Sequence, residues 1–240
     1  MSTVKPFLDK SLFFLNLAGL NPQNQNIFSK IRALFAIFST GLLTLLLTLE
    51  VVINWRGIDS LLAGASSVAA YGQIVIQMVL IMRALNIIKT MVNDVNNFWS
   101  LDGTNPIVLK EIEEDHKFVK RLLRFIQICY LLAIAAYFIQ PLFIKIRKFP
   151  IQLYQPINLL ISPRYEITYL LLFINALLVI PFLIGFDMIY ITIILHVISE
   201  LKIIKYGFEN IDVNEAVNGD DPKCLKEFGR LVDHHSSVLQ

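Results

Sequence analysis

Asp187 is the only charged side chain in the 33 residues from Ile167 to Ser199, and a carboxylate with so many apolar neighbours poses a specific chemical question. At the centre of a bilayer it would mark an ion or ligand route. It stands about 20 residues into its apolar run, close to an interface by helical rise, so it is read as an interfacial or interhelical hydrogen-bonding residue. His196 and Glu200 are four apart on one helical face and offer two metal donors. A metal site needs more than two, so they are read as an i, i+4 pair. His234 and His235 raise the same question, but the chain has four histidines in all, too few for the several clusters of a membrane di-iron centre. Cys129 lies in an apolar run and Cys224 in a polar tail, so both are read as free thiols. The sequence holds no GxSxG, phosphate-cradling glycine loop, HExxH or CxxC. No catalytic residue, metal or cofactor is expected, and the chain is not read as an enzyme.

The elements that must position these residues are apolar. Runs at 33–49, 60–82, 125–144 and 167–186 contain no Asp, Glu, Lys or Arg. A hydrocarbon core about 30 Å thick needs roughly 20 such residues per helical crossing. Hydrophobic residues make up 55% of the chain, and charged residues 17% against about 25% in soluble domains. The expected fold is all-α, a multi-pass transmembrane helical bundle with spans at about 33–54, 60–82, 125–144 and 167–187. The last run is too long for one crossing and too short for two. It is expected to continue as a cytoplasmic helical stem to about Tyr206, ended by Gly207 and needing a partner over Met188, Ile191, Ile194, Leu195 and Ile198. The alternative is a re-entrant hairpin broken at Pro181 and Gly185.

Charge sets the orientation. The N-terminus, the 83–124 segment and the C-terminal tail carry sixteen basic residues, and the two remaining loops carry five: Arg56, Lys145, Arg147, Lys148 and Arg164. By the positive-inside rule both ends are expected in the cytoplasm. Ser11 to Leu20, interrupted by Asn16, is expected to be a short interfacial helix and not a signal peptide. Trp55 suits the headgroup belt of a tight outer turn at 54–59. Glu111 to Asp115, followed by Lys117, Lys120, Arg121 and Arg124, reads as a solvated cytoplasmic helix with an acidic first turn. Pro150, Pro156 and Pro163 favour an extended outer lid over 145–166.

Several stretches resemble the insect odorant receptors, heptahelical membrane proteins. Leu17, Ala18, Gly19, Leu20, Asn21 and Pro22 are similar to the family's "GLxP" approach to the first span. Ser162, Pro163, Arg164 and Tyr165 with Tyr169 match its "sPxY...Y" start of the fourth helix. Asp187, Met188, Ile189 and Tyr190, then His196, Glu200 and Leu201, match a later pattern, and Val232, Asp233, His234, His235, Val238 and Leu239 look like its "DHHxxIL" segment. The likeness runs along the whole chain and is most specific in the fourth helix and the closing segment. It departs at Gln240: family members run to roughly four hundred residues with three further spans, so four of a presumed seven are expected here, the N-terminal part of a receptor.

The resemblance implies a plasma-membrane receptor subunit that binds small volatile organic ligands. It also implies a ligand-gated cation channel formed as a hetero-oligomer with a co-receptor subunit in the lipid bilayer, with no nucleic acid as partner. The implied pocket lies in the outer half of the bundle, where Ser67 and Tyr71, Ala133 and Tyr137, and Phe173 and Leu177 stand at i, i+4 spacing on three helices; ordinary helix packing uses the same spacing. A complete four-span scaffold or carrier, and a gustatory receptor fragment, are the alternatives.

Overall fold

A computed structural model describes residues 5–54, 57–97, 105–143, 149–155, 157–209, 229 and 232. Trp55, Cys224, His234, His235 and the side chain of Tyr137 lie outside the described residues. Five helices follow in chain order among the described residues: α1 (Lys5–Ala18), α2 (Ile27–Ile53), α3 (Ile58–Asn97), α4 (Pro106–Phe143) and α5 (Arg164–Glu209). Among the described residues three stretches are long and apolar enough to cross a bilayer: Ile27–Ile53, Gly64–Asn93 and Arg164–Glu209. Within the run at 125–144, residues 125–143 form the apolar half of α4.

α1 is more than an interfacial helix. It lies along α5, burying Leu8, Leu12 and Leu15 in a core shared with Ala33 and Ala36 of α2, Met78 and Ile81 of α3, and Val179 and Phe182 of α5. Two glycines make this possible. At Gly185 an added Cβ would stand 2.9 Å from both the backbone nitrogen and Cγ of Leu15, so only a bare backbone lets α1 and α5 touch. Gly19 ends α1 with φ +81°. There the Leu20 amide bonds the Leu15 carbonyl at 2.8 Å and the Gly19 amide that of Asn16 at 3.1 Å, a Schellman closure that needs the left-handed conformation glycine reaches without strain. A Cβ at Gly19 would also meet the Ser29 carbonyl oxygen at 2.3 Å, so α1 turns directly against α2. Asn26 then caps α2, its side chain accepting from the Ser29 amide at 2.7 Å.

α5 runs unbroken through Pro181 and Gly185, so the hairpin alternative fails. Its 46 residues reach roughly 69 Å, more than twice the hydrocarbon thickness. It passes Gly207 by two residues. Proline removes one helical hydrogen bond, a loss that neighbouring helices make tolerable in a membrane. The small residues Ala33, Ala36 and Thr40 are buried on one face of α2, while Phe28, Phe38, Leu42 and Leu45 are exposed. That is the membrane pattern, with small side chains between helices and large apolar ones towards lipid.

The charged segment begins earlier than its acidic residues suggest and is not simply solvated. Asn105 caps α4, accepting from the Ile107 amide at 2.8 Å, and Pro106 takes the first helical position, where its missing N–H costs nothing. Lys202 of the α5 stem pairs with Asp115 at 2.6 Å and Glu111 at 3.9 Å. Asn105 bonds the Tyr206 hydroxyl. With α1 and α4 as neighbours, Met188, Ile189 and Leu195 of the stem are buried, while Ile194 and Ile198 stay exposed.

Candidate functional site

Between α3, α4 and α5 lies a cavity of about 220 Å³. α3 contributes Tyr71 and Ile74; α4 contributes Tyr130, Ala133, Ile134 and Phe138; α5 contributes Leu172, Asn175, Val179 and Leu183, with Leu43 of α2 behind them. These positions recur every three or four residues on each helix, so a single inward stripe per helix builds the wall. Ile151 completes it from the loop. That loop folds inward: Leu153 is buried against Leu43 and Leu47, and the Tyr154 amide donates to the Leu46 carbonyl at 3.3 Å.

Polar groups enter the wall at defined points. Asn175 is buried, and its amide nitrogen donates to Ser39 Oγ at 2.8 Å and Thr40 Oγ1 at 3.0 Å. Those hydroxyls in turn donate to the Ala36 carbonyl at 3.2 and 2.7 Å. Both amide hydrogens are therefore committed to α2, and what Asn175 can still offer a guest is its carbonyl oxygen, an acceptor. The Tyr130 hydroxyl donates to Asp187 Oδ2 at 3.0 Å, which leaves its oxygen lone pairs as an acceptor too. Asp187 thus makes the interhelical bond expected of it. An array of rings braces the end nearest the start of α5: Phe149 stacks on Tyr165, Tyr165 approaches Tyr169, and Tyr169 and Phe173 meet the edges of Phe138 at 5.9 and 5.2 Å. The Tyr169 hydroxyl donates to the Phe138 carbonyl at 2.5 Å. Tyr165 and Tyr169, which carry the sequence motif at the start of α5, thus fix where Phe138 of α4 stands.

Of the residues singled out from sequence, Tyr71 and Ala133 line the cavity together. Phe173 packs on Phe138 one layer away. Ser67 lies one turn from Tyr71 on α3 and Leu177 is exposed on α5; neither is among the lining residues. Sequence reasoning missed Tyr130, Phe138, Ile151 and Asn175. Two had a readable signal: Asn175 is the one amide in the run 167–186, and Tyr130 precedes Ala133 by three on the same face of α4.

At the far end of α5, His196 and Glu200 are both buried, with Nε2 and Oε1 3.9 Å apart. Among the described residues no three His, Cys, Asp or Glu side chains gather as a metal site.

A sequence-family profile described as 7tm odorant receptor matches residues 58–240. No curated protein matches the sequence. Among solved structures the chain is similar to the insect olfactory receptor OR5 from Machilis hrabei in complex with eugenol, with TM-score 0.77 and 13% identity over 98% of this chain and 62% of that one. A second structure of that receptor gives TM-score 0.74 with the same identity and coverage. The present chain therefore spans 62% of the length of the receptor it superposes on, and at this identity the likeness is one of fold.

Proposed function

The chain belongs to the insect odorant receptor family, and from that membership we propose that it is an odorant-receptor subunit whose cavity between α3, α4 and α5 takes a small volatile organic ligand. The observation that carries this reading is the cavity itself: about 220 Å³, walled by aliphatic and aromatic side chains, with Asn175 and Tyr130 among its hydrogen-bond acceptors. For scale, a cavity of about 150 Å³ lined by Leu, Ile and Phe stays dry and takes benzene, so the space suits a substituted ring or a short chain. Eugenol, the ligand named for the similar receptor, is a phenol of that kind. Its hydroxyl would donate to Asn175 Oδ1 while its ring packs on Phe138 and Ile134. Phe173, on the ring array behind the wall, tunes the shape.

The sixteen-to-five distribution of basic residues supports a plasma-membrane receptor with the N-terminus and the α4–α5 stem side in the cytoplasm. Ligand binding biases a cation channel formed with a co-receptor subunit, the partner through which α5 and its stem transmit the change.

A displacement titration tests the reading, using an apolar fluorescent probe and the chain reconstituted in nanodiscs. Ala133→Trp fills the cavity and abolishes odorant-displaceable binding, whereas Leu170→Trp on the exposed face of α5 leaves it intact. Equal displaceable binding in both variants would place the ligand elsewhere. Co-expression with the co-receptor then reads the same variants as odorant-evoked current.

A further inference from the structure

A second cavity, about 340 Å³, opens where α1 meets the α4 segment that precedes the membrane. Its chemistry is opposite to that of the first. Lys117, Lys120 and Arg124 stand on one face of α4 at i, i+3 and i+7, and Lys10 faces them from α1. One carboxylate, Glu113, answers these four cations, and it is engaged with Lys117 at 3.5 Å. Lys10 bonds Gln127 Oε1 at 3.0 Å. Lys120 and Arg124 have no ion-pair or hydrogen-bond partner among the described residues.

His116 also lines the cavity. Its side chain is 6% exposed, and neither ring nitrogen has a hydrogen-bond partner among the described residues. Buried polar groups ordinarily find partners, yet the His116 imidazole lacks an acceptor beside two cations that are exposed and, among the described residues, unpaired.

Position decides what supplies it. Arg124 is the last charged residue before the apolar half of α4, so the basic mouth lies at the depth of lipid phosphates. Immediately beyond it Phe125, Ile128, Leu131 and Leu132 are exposed along α4, an uninterrupted track for acyl chains. A soluble anion would use the charges and leave that track bare; a membrane lipid uses both.

We propose that this cavity binds the headgroup of an anionic phospholipid bearing phosphomonoesters, with its acyl chains along α4. The headgroup phosphates meet Lys120, Arg124 and Lys10, His116 donates from its buried ring, and the glycerol backbone lies near Gln127. This site rests on the membrane placement given above and is independent of the odorant cavity, so its test involves no odorant.

The experiment uses the chain in phosphatidylcholine nanodiscs titrated with fluorescent phosphatidylinositol bisphosphate. Binding should be saturable and should weaken about 25-fold in Lys120→Gln/Arg124→Gln, about fivefold for each cation removed. Lys110→Gln, on exposed α4 away from the cavity, should leave it unchanged. If the double variant loses helicity by circular dichroism, Lys10→Gln on α1 decides instead, with an expected loss of about fivefold. Equal affinity in wild type and the cavity variants would overturn the site. So would equal weakening by Lys110→Gln, or equal binding of phosphatidylserine at matched charge, since either is diffuse surface attraction. Inositol trisphosphate that binds as tightly as the lipid would assign the cavity to a free phosphate and overturn the lipid, whose acyl chains along α4 should make it the tighter ligand.

Discussion

The Tyr130 hydroxyl donates a 3.0 Å hydrogen bond to the Asp187 carboxylate, tying α4 to α5 at one edge of the cavity between α3, α4 and α5. Side-chain hydrogen bonds between membrane helices are worth about 0.6 kcal/mol on average and at most about 1.7. A double-mutant cycle of Tyr130→Phe and Asp187→Ala, read by thermal unfolding in detergent, should return a coupling in that range. Asp187→Asn keeps an acceptor and should lose less than Asp187→Ala. Additive single effects would mean that the pair does not hold the helices.

Glycine offers an internal comparison. Gly185→Ala drives a methyl against the Leu15 backbone nitrogen at 2.9 Å, a contact that backbone cannot relieve, and overpacking of this kind costs about 1–3 kcal/mol. Gly41, inside α2, has nothing within 4 Å of an added Cβ, so Gly41→Ala should be neutral or gain up to about 1 kcal/mol from helix propensity. Melting temperatures that fall equally in both variants would remove the close α1–α5 contact as the cause.

On the proposed reading, Asn175 should govern selectivity more than stability. Asn175→Leu removes two hydrogen bonds to α2 worth about a kilocalorie together, and also the acceptor facing the guest. A site built to bond a hydroxyl discriminates against ligands lacking one, so the variant should lose its preference for a phenol over the matching methyl ether by about tenfold or more. Dose-response curves for such a pair of odorants check this; an unchanged ratio would mean that Asn175 Oδ1 does not meet the ligand.

Much of the fold was legible because helices in a bilayer satisfy their own backbone and are written as long apolar runs, as in 167–186. Less legible was what those runs pack against. α1 reads as interfacial because its apolar stretch is short and interrupted by Asn16, yet Leu15 meets Gly185, 170 positions away, and Leu8 and Leu12 join the same core. That pairing is a matter of shape and leaves no periodic trace. The cavity was legible in part: Tyr71 and Ala133 are spaced as inward positions, but Leu177 shares that spacing and faces outward, since period alone does not tell which side of a helix meets lipid. Ile151 came from a loop with no periodicity at all. The segment at 111–124 reads as a solvated face because its charges are dense, and only the position of Lys202 shows that Asp115 and Glu111 hold the α5 stem.

His116 predicts a pH dependence on the α4 side outside the membrane. Burial pushes its imidazole below the ordinary 6.5, and nearby His196 adds to this, while Asp115 and Glu113 oppose it. Phe7 of α1 covers the ring, with centroids 6.1 Å apart. Above 6.5 the ring is neutral in both the folded and the unfolded chain and contributes no slope. As pH falls below 6.5 the unfolded chain takes up a proton that the fold resists, so stability is lost on the acid side. Thermal unfolding between about pH 7.5 and 5.5 should show this loss in the wild type and a smaller one in His116→Leu. An identical slope in the two would assign it to other groups.

Photolabelling tests the central claim most directly. A diazirine analogue of a volatile phenol, irradiated with the chain in nanodiscs and mapped by peptide mass spectrometry, should label Tyr71, Tyr130, Ala133 or Asn175, and excess parent phenol should suppress that labelling. Labels confined to the exposed faces of α2 and α5, unaffected by the parent compound, would contradict an odorant site between α3, α4 and α5.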